Sequence, residues 1–390
     1  MTSSINTVHP QQTTHTRHWS LLAAIVLVAA LTPSILLTAP AVAAQLASQW
    51  GLNPDQIGNL FMAELGAMGL AGVPAFWWLK RVDLRKAACI SGLVFIIGNL
   101  ISAVIADYNT LMALRFFTAL GGGSLMIICM STAASLPNAN RVYGLWLLGQ
   151  LMVGAIGLQV LPILFQHYGL AACYIALAAL MAVVLPLVRA FPASISSTKI
   201  ISTPELNKSK VTLGLLAIFC FYLSLSGVWT FIGSIGSSAS LNAQDTGEIL
   251  AIATVMGIIG AGCAAVIGDR LPRSLLLIIG YAVMAAAVLM LQGQPDLLRF
   301  TIAALAFKFT WTFVVPLLLA RINELAPSGS LMNAANLVIA SAVAIGPGIA
   351  GHLIQNSGGY YSTLVSATVL TLFSLALILI SRSKKGQDNA

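Results

Sequence analysis

Three charged side chains stand where charge is expensive. Glu64, Arg115 and Lys308 lie inside long apolar runs of a 390-residue sequence that is 58% hydrophobic and only 8% charged. A charge in the middle of a membrane-spanning helix costs at least about 2.5–3.5 kcal/mol on insertion scales, so it faces protein or water and often has a task. From a low-dielectric site Lys308 can bind an anionic substrate or give up its proton. Trp311 follows at i+3 on the same helix face, so a carboxylate and an apolar body could be held together. The plainer alternatives are an ion pair with an acid on a neighbouring helix for Lys308, and packing for Trp311. Glu64 is the candidate proton-coupling carboxylate, with permanent pairing to a basic group as its alternative. Arg115 stays charged at any working pH and either neutralises solute or Glu64, or tethers its helix. Trp229, Gln150, Gln159 and Tyr222 are second-rank candidates, because polar groups within spans also hold helices together.

The elements that must position these residues follow from hydropathy. Soluble proteins carry about 25% charged residues, and a bilayer core about 30 Å thick needs roughly 20 apolar residues per helix. The sequence supplies such runs at 20–43, 56–79, 87–106, 110–134, 143–166 and 169–188, and again at 212–234, 247–268, 274–292, 297–320, 331–354 and 361–381. Turn chemistry separates them, as in Gly51-Leu52-Asn53-Pro54-Asp55 and Asp107-Tyr108-Asn109. The expected division is a tail over 1–19, a six-helix bundle over 20–188, a Ser-, Thr- and Lys-containing loop over 189–211, a second bundle over 212–381 and a tail over 382–390. The two halves repeat with an offset of about 192, and Arg115 and Lys308, 193 residues apart, read as counterparts. Repeated halves with a solute site near the midplane are a recurring transporter plan. Ala41-Val42-Ala43 resembles a signal-peptidase site. The run containing it, with Pro33 and Pro40, exceeds an h-region of 7–15 residues, so an uncleaved first span is expected.

Of the 19 Lys and Arg residues, Arg115 and Lys308 lie within spans and Arg299 falls on the far side; all the others share the side of the N-terminus. By the positive-inside rule both termini are cytoplasmic, which places the chain in the cytoplasmic (inner) membrane. A net charge of +8 spread in this way is a topology signal and excludes a nucleic-acid-binding stripe. The five cysteines fall singly in apolar runs, with no CxxC, so no metal is expected. An integral-membrane enzyme would need a cluster such as H-E-x-x-H. Here His9, His15 and His18 are in the tail and His167 and His352 stand alone, so no enzyme is expected.

At this point the sequence resembles the major facilitator superfamily of secondary transporters, from about residue 20 to 381. That family carries a G-x-x-x-D-R-x-G-R-R-like loop after its second span and a weaker copy after its eighth. Asp269-Arg270 and Arg273 keep the second copy, while Lys80-Arg81 and Asp83 depart from the first. Arg115 with Gly121-Gly122-Gly123 matches the family's Arg and glycine-rich fourth span, and the Gly-Pro pair of antiporters is missing from the fifth. The resemblance implies an all-α membrane protein of twelve helices in two pseudo-symmetric bundles that rock about a cavity lined by spans 1, 4, 7 and 10. It implies cation coupling, with protons expected, or facilitated diffusion, no cofactor, and a monomer. Consistently, no G-x-x-x-x-G-K-[ST] loop is present. Arg81, Arg85, Asp269 and Arg270 would then close an inside gate, or serve topology alone. A sensor that keeps the fold without moving solute is the competing reading. His352 reads as a polar helix end.

Overall fold

The structure, a computed structural model, describes residues 10–79, 81–136, 138–194, 208–268, 270–325 and 329–381. Among these residues every regular element is a helix. Eleven helices are long and apolar enough to cross a membrane, and a shorter apolar helix, Trp19–Leu31, precedes them. We number the crossings α1 to α12. The first is broken into Pro10–Leu31, Ser34–Leu37 and Ala39–Trp50. α2 runs Pro54–Leu70 and continues as Gly72–Trp78; α3 is Leu84–Ser102, α4 Tyr108–Ala134, α5 Ala139–Tyr168, and α6 Ala171–Val184 with a 3-10 turn Leu185–Ala190. The second half holds α7 (Lys208–Ser238), α8 (Ala243–Ile267), α9 (Arg273–Met290), α10 (Leu297–Leu325), α11 (Gly329–Ser357) and α12 (Tyr361–Ile380). Of the expected central loop, residues 189–190 close the turn after α6 and residues 208–211 open α7, and 195–207 lie outside the described residues.

The prolines explain the broken first helix. A proline lacks the N–H that would bond the carbonyl four residues earlier. Pro33 therefore frees the Ala29 carbonyl, and Pro40 frees that of Leu36. Inside a bilayer such groups must find partners within the protein. Trp146 Nε1 and Gln150 Nε2, both on α5, donate to Ala29 O at 2.9 and 3.1 Å. Trp229 Nε1, on α7, donates to Leu36 O at 2.9 Å. The first socket stays within one half, and the second joins the two.

Caps fix where helices begin on the distal side, the face where α1 ends and α2 begins. Asn53 accepts from Gln56 N at 2.8 Å and its own N–H donates to Gln56 Oε1, a capping box that starts α2. Asp107 accepts from the N–H and hydroxyl of Thr110 and starts α4; the backbone bond, then the hydroxyl bond, hold its carboxyl below the ordinary range. The second half repeats this with Asn242 before α8 and Asp296 before α10. Both matched pairs are 189 residues apart, three fewer than hydropathy suggests. Arg115 stands 8 residues past its cap and Lys308 12 past its own. At 1.5 Å per residue Lys308 is one turn, about 6 Å, deeper than Arg115.

Three helix pairs join the halves: α2 with α11, α5 with α8, and α7 with the last piece of α1. The closest backbone approaches lie near the distal ends. Gly58 and Gly351 sit so close to the Pro347 and Pro54 carbonyls that a Cβ on either would collide with backbone. Gly233 approaches Pro40 O, and Gly247 approaches Leu158 O, in the same way. The α2–α11 stripe continues through Gly66 and Gly69, opposite Ala344 and Ala340. Beyond it, Val73 one turn and Trp77 two turns past Gly69, and Leu337 one turn before Ala340, are exposed. The halves are thus closed distally and diverge toward the proximal face, where α2 ends and α3 begins.

Candidate functional site

The sequence-derived candidates fall into two clusters and a set of proximal groups. The first cluster lies inside the N-terminal half. Arg115 is 1% exposed, because the triple glycine that follows it lets α4 press against its neighbours; a Cβ on Gly123 would strike the Met68 carbonyl of α2. Its guanidinium Nη2 is paired with Glu64 Oε1, and Nη1 donates to Asn99 Oδ1 at 2.8 Å and to Ser102 Oγ at 3.4 Å, both on α3. The guanidinium carbon lies 4.8 Å from the Tyr174 ring centroid of α6. Its Nε has no hydrogen-bond partner. Four helices, α2, α3, α4 and α6, therefore converge on one buried cation. Glu64 is on the face of α2 opposite the Gly58–Gly66–Gly69 stripe, so the same helix carries the ion pair inward and the inter-half contact outward.

The second cluster lies within the C-terminal half, beside the seam, which the Trp229 indole N–H crosses to reach Leu36 O. Lys308 is 4% exposed, and its ammonium stands 3.8 Å from the Trp229 ring centroid and 4.5 Å from that of Trp311. Among the described residues no carboxylate pairs with it. Trp229 stacks on Phe307 with centroids 6.4 Å apart, and Trp311 meets both rings edge-on. Trp229 is fully buried, whereas Trp311 is half-buried. The arrangement gives Lys308 two aromatic contacts and, among the described residues, no carboxylate.

The remaining candidates have mostly structural partners. Gln150 and Trp229 fill the two proline-freed carbonyl sockets of α1. Arg85 Nε donates to Phe191 O at 2.7 Å, which ties α3 to the end of α6 within one half. Arg81 and Arg270 are exposed, and Asp269 lies outside the described residues. Glu324 was not singled out from the sequence, yet it holds Arg273 of α9 and Arg321 of its own helix. Its spacing of three from Arg321 is a visible helical pair signal. His352 Nδ1 lies 3.3 Å from Asp55 Oδ1 across the seam and its Nε2 2.9 Å from Asn356. No spacing reveals that contact, since the partners are 297 positions apart. Among the described residues no group of His, Cys, Asp and Glu could hold a metal.

A family model described as Major Facilitator Superfamily matches residues 21–340. Among solved structures, the nucleoside transporter NupG superposes with a TM-score of 0.71 at 12% identity, covering 94% of this chain and 100% of its own. A bacterial homologue of the human lysosomal transporter Spinster, in an inward-facing and unoccupied conformation, gives 0.68 at 14% identity, covering 94% and 96%. At these identities the likeness is one of fold.

Proposed function

Because the chain belongs to the Major Facilitator Superfamily, we propose that it is a proton-coupled secondary transporter of a small organic anion, which binds at Lys308 and is coupled through Glu64. The fold and family make it a multi-pass membrane transporter. The cargo and the coupling rest on the two clusters. The single observation that carries the reading is the Lys308 ammonium, buried with π faces but no acid. Desolvating an ammonium costs several kcal/mol, and a desolvated cation–π contact returns about 2 kcal/mol each. An incoming carboxylate supplies the balance that a resident acid would otherwise have supplied.

A solute entering between the diverging proximal ends meets the half-buried Trp311 ring before the lysine. Its carboxylate then draws the ammonium from Trp229 while its apolar body rests on Trp311. In the other half, a proton on Glu64 removes the attraction for Arg115 and loosens α2 against α4. Because α2 also carries the glycine stripe that meets α11, that loosening reaches the distal closure. The basic residues on the proximal side favour cytoplasmic termini in an inner membrane, which makes the present closure an inward-facing one. Export and uptake use the same geometry.

The test is reconstitution into liposomes with an internal pH dye and a panel of organic acids, amines, sugars and nucleosides. An organic acid should move protons with wild-type protein. Lys308→Ala should weaken its binding at least about tenfold, as expected on truncating a buried charge partner, and Glu64→Gln should move solute without protons. Normal transport by Lys308→Ala would remove the lysine from the site. Solute flux with no proton signal would leave a carrier and sink the coupling. Binding without any flux would favour a sensor.

A further inference from the structure

The Glu64–Arg115 cluster has a second approach that does not pass through the seam. On the distal face, a recess of about 380 Å³ opens between the ends of α1, α3 and α6. It lies where α3 stops at Ser102 and the chain continues as an irregular turn through Ala103–Ala106. Gln49 and Trp50 line one side, the exposed Ala106 the rim, and the buried Leu170, Ser102 and Tyr174 the floor. Gln49 is fixed there by accepting from Leu170 N at 2.8 Å and Gln45 Nε2 at 2.7 Å.

The floor is what gives the recess a function. Ser102 Oγ is the acceptor of Arg115 Nη1, and the Tyr174 ring covers the same guanidinium. Two side chains therefore separate the recess from the buried ion pair. Arg115 Nε, in a residue 1% exposed, lacks any partner, and buried donors in folded proteins are nearly always satisfied by protein or water. A polar cavity of this size has room for several waters. Within the half, Arg115, Tyr174 and Cys173 each interact electrostatically with Glu64, and Asp107, next to Ala106, is an exposed acid at the mouth of the recess.

We propose that this recess is the proton port: a water-filled vestibule in the N-terminal half through which hydrated protons from the distal side reach Glu64, separate from the solute route at Lys308. A hydronium passes its proton to a Glu64 carboxylate oxygen and returns to water. Arg115 stays cationic throughout, and its pairing with a neutral Glu64 weakens. Proton and solute thus arrive by different doors. This inference rests on Glu64 being the coupling acid.

Ala106→Cys, in full-length protein reconstituted with the pH dye, places a thiol at the rim. A charged, membrane-impermeant methanethiosulfonate is added to both sides, with wild type treated in parallel as a control for Cys89 and Cys263, its two partly exposed cysteines. The modified thiol should slow solute-driven proton movement at least tenfold, while solute exchange at equal pH on both sides stays within twofold, and reductant should restore the signal. Restoration by reductant separates blocking from misfolding. Failure of the thiol to react, by mass, would mean a dry recess and overturn the port. So would unchanged proton movement after full modification, or an equal loss of exchange, which would merge the two routes. If the unmodified protein moves solute without protons, coupling through Glu64 fails first and the port falls with it.

Discussion

Trp229 serves two partners with two parts of one side chain. Its ring face takes the Lys308 ammonium, and its indole N–H fills the carbonyl that Pro40 frees on α1. Phenylalanine keeps a ring face and deletes the N–H. That leaves the Leu36 carbonyl without this donor, a cost of about 1–3 kcal/mol for a buried acceptor, and only in the state where the halves touch. Trp229→Phe should therefore keep solute affinity within about threefold while changing turnover by at least about fivefold, whereas Trp229→Leu should lose both. Equal affinity and turnover in Trp229→Phe and wild type would mean the inter-half bond carries nothing. At this scale the sequence was partly readable. It exposes Glu64, Arg115 and Lys308 as charges out of place, because composition alone makes them anomalous. It leaves open whether Glu64 has a basic partner, and the structure gives it Arg115. It cannot show that Gln150 and Trp229 answer prolines, because a donor and a carbonyl 121 or 193 positions apart meet only in the folded chain.

The helices themselves were legible nearly end to end, since each needs a long apolar run and most distal starts have an Asn or Asp cap in the sequence. The first helix is the exception. Hydropathy reads 20–43 as continuous, and the structure breaks it and carries it on to Trp50. The pairing of Arg115 with Lys308 as counterparts also shifts, because caps set register more finely than hydropathy; the true offset leaves Lys308 one turn deeper. The glycines of α2 were not singled out from the sequence, because a glycine stripe does not name its partner helix, and the structure makes that face meet α11. Closure there depends on absent side chains. A Cβ on Gly351 meets the Pro54 carbonyl and the Gly58 Cα, both backbone atoms that cannot swing aside. Gly351→Leu should wedge the distal ends apart. Solute binding from the proximal side should weaken at least about tenfold, since overpacking costs typically 1–3 kcal/mol, while Gly262→Leu, at a position with open space around it, should bind as wild type does. Equal binding by both variants would show that the α2–α11 contact is not what closes the molecule.

For the whole molecule the charges at the seam decide how firmly one state is held. Among the described residues the only ion pair between halves is His352–Asp55, at 3.3 Å and well exposed, and such pairs contribute about 0–1 kcal/mol. The strongly buried pair, Glu64–Arg115, stays within one half. On the proximal side Arg273 and Arg321 likewise both pair with Glu324 within the other half. Each bundle is thus internally pinned by its charges, and the contact between bundles relies on glycine packing and one indole bond, which suits rigid halves that rock. Spin labels test this directly, in a background where Cys89 and Cys263 are replaced by serine. One pair, at Lys86 and Leu271, reports the proximal ends, and another, at Tyr168 and Leu298, reports the distal ends; all four positions are exposed. Without solute the proximal pair should show the longer, broader separation for its position. With a transported acid at low pH the proximal distances should shorten as the distal ones lengthen, because a rigid half cannot close one end without opening the other. Glu64→Gln, which imitates the protonated acid, should move both distributions part of the way without solute. Two distance distributions that ignore solute, pH and Glu64→Gln alike would mean a static scaffold, and the Lys308 cluster would then be a receptor's binding site.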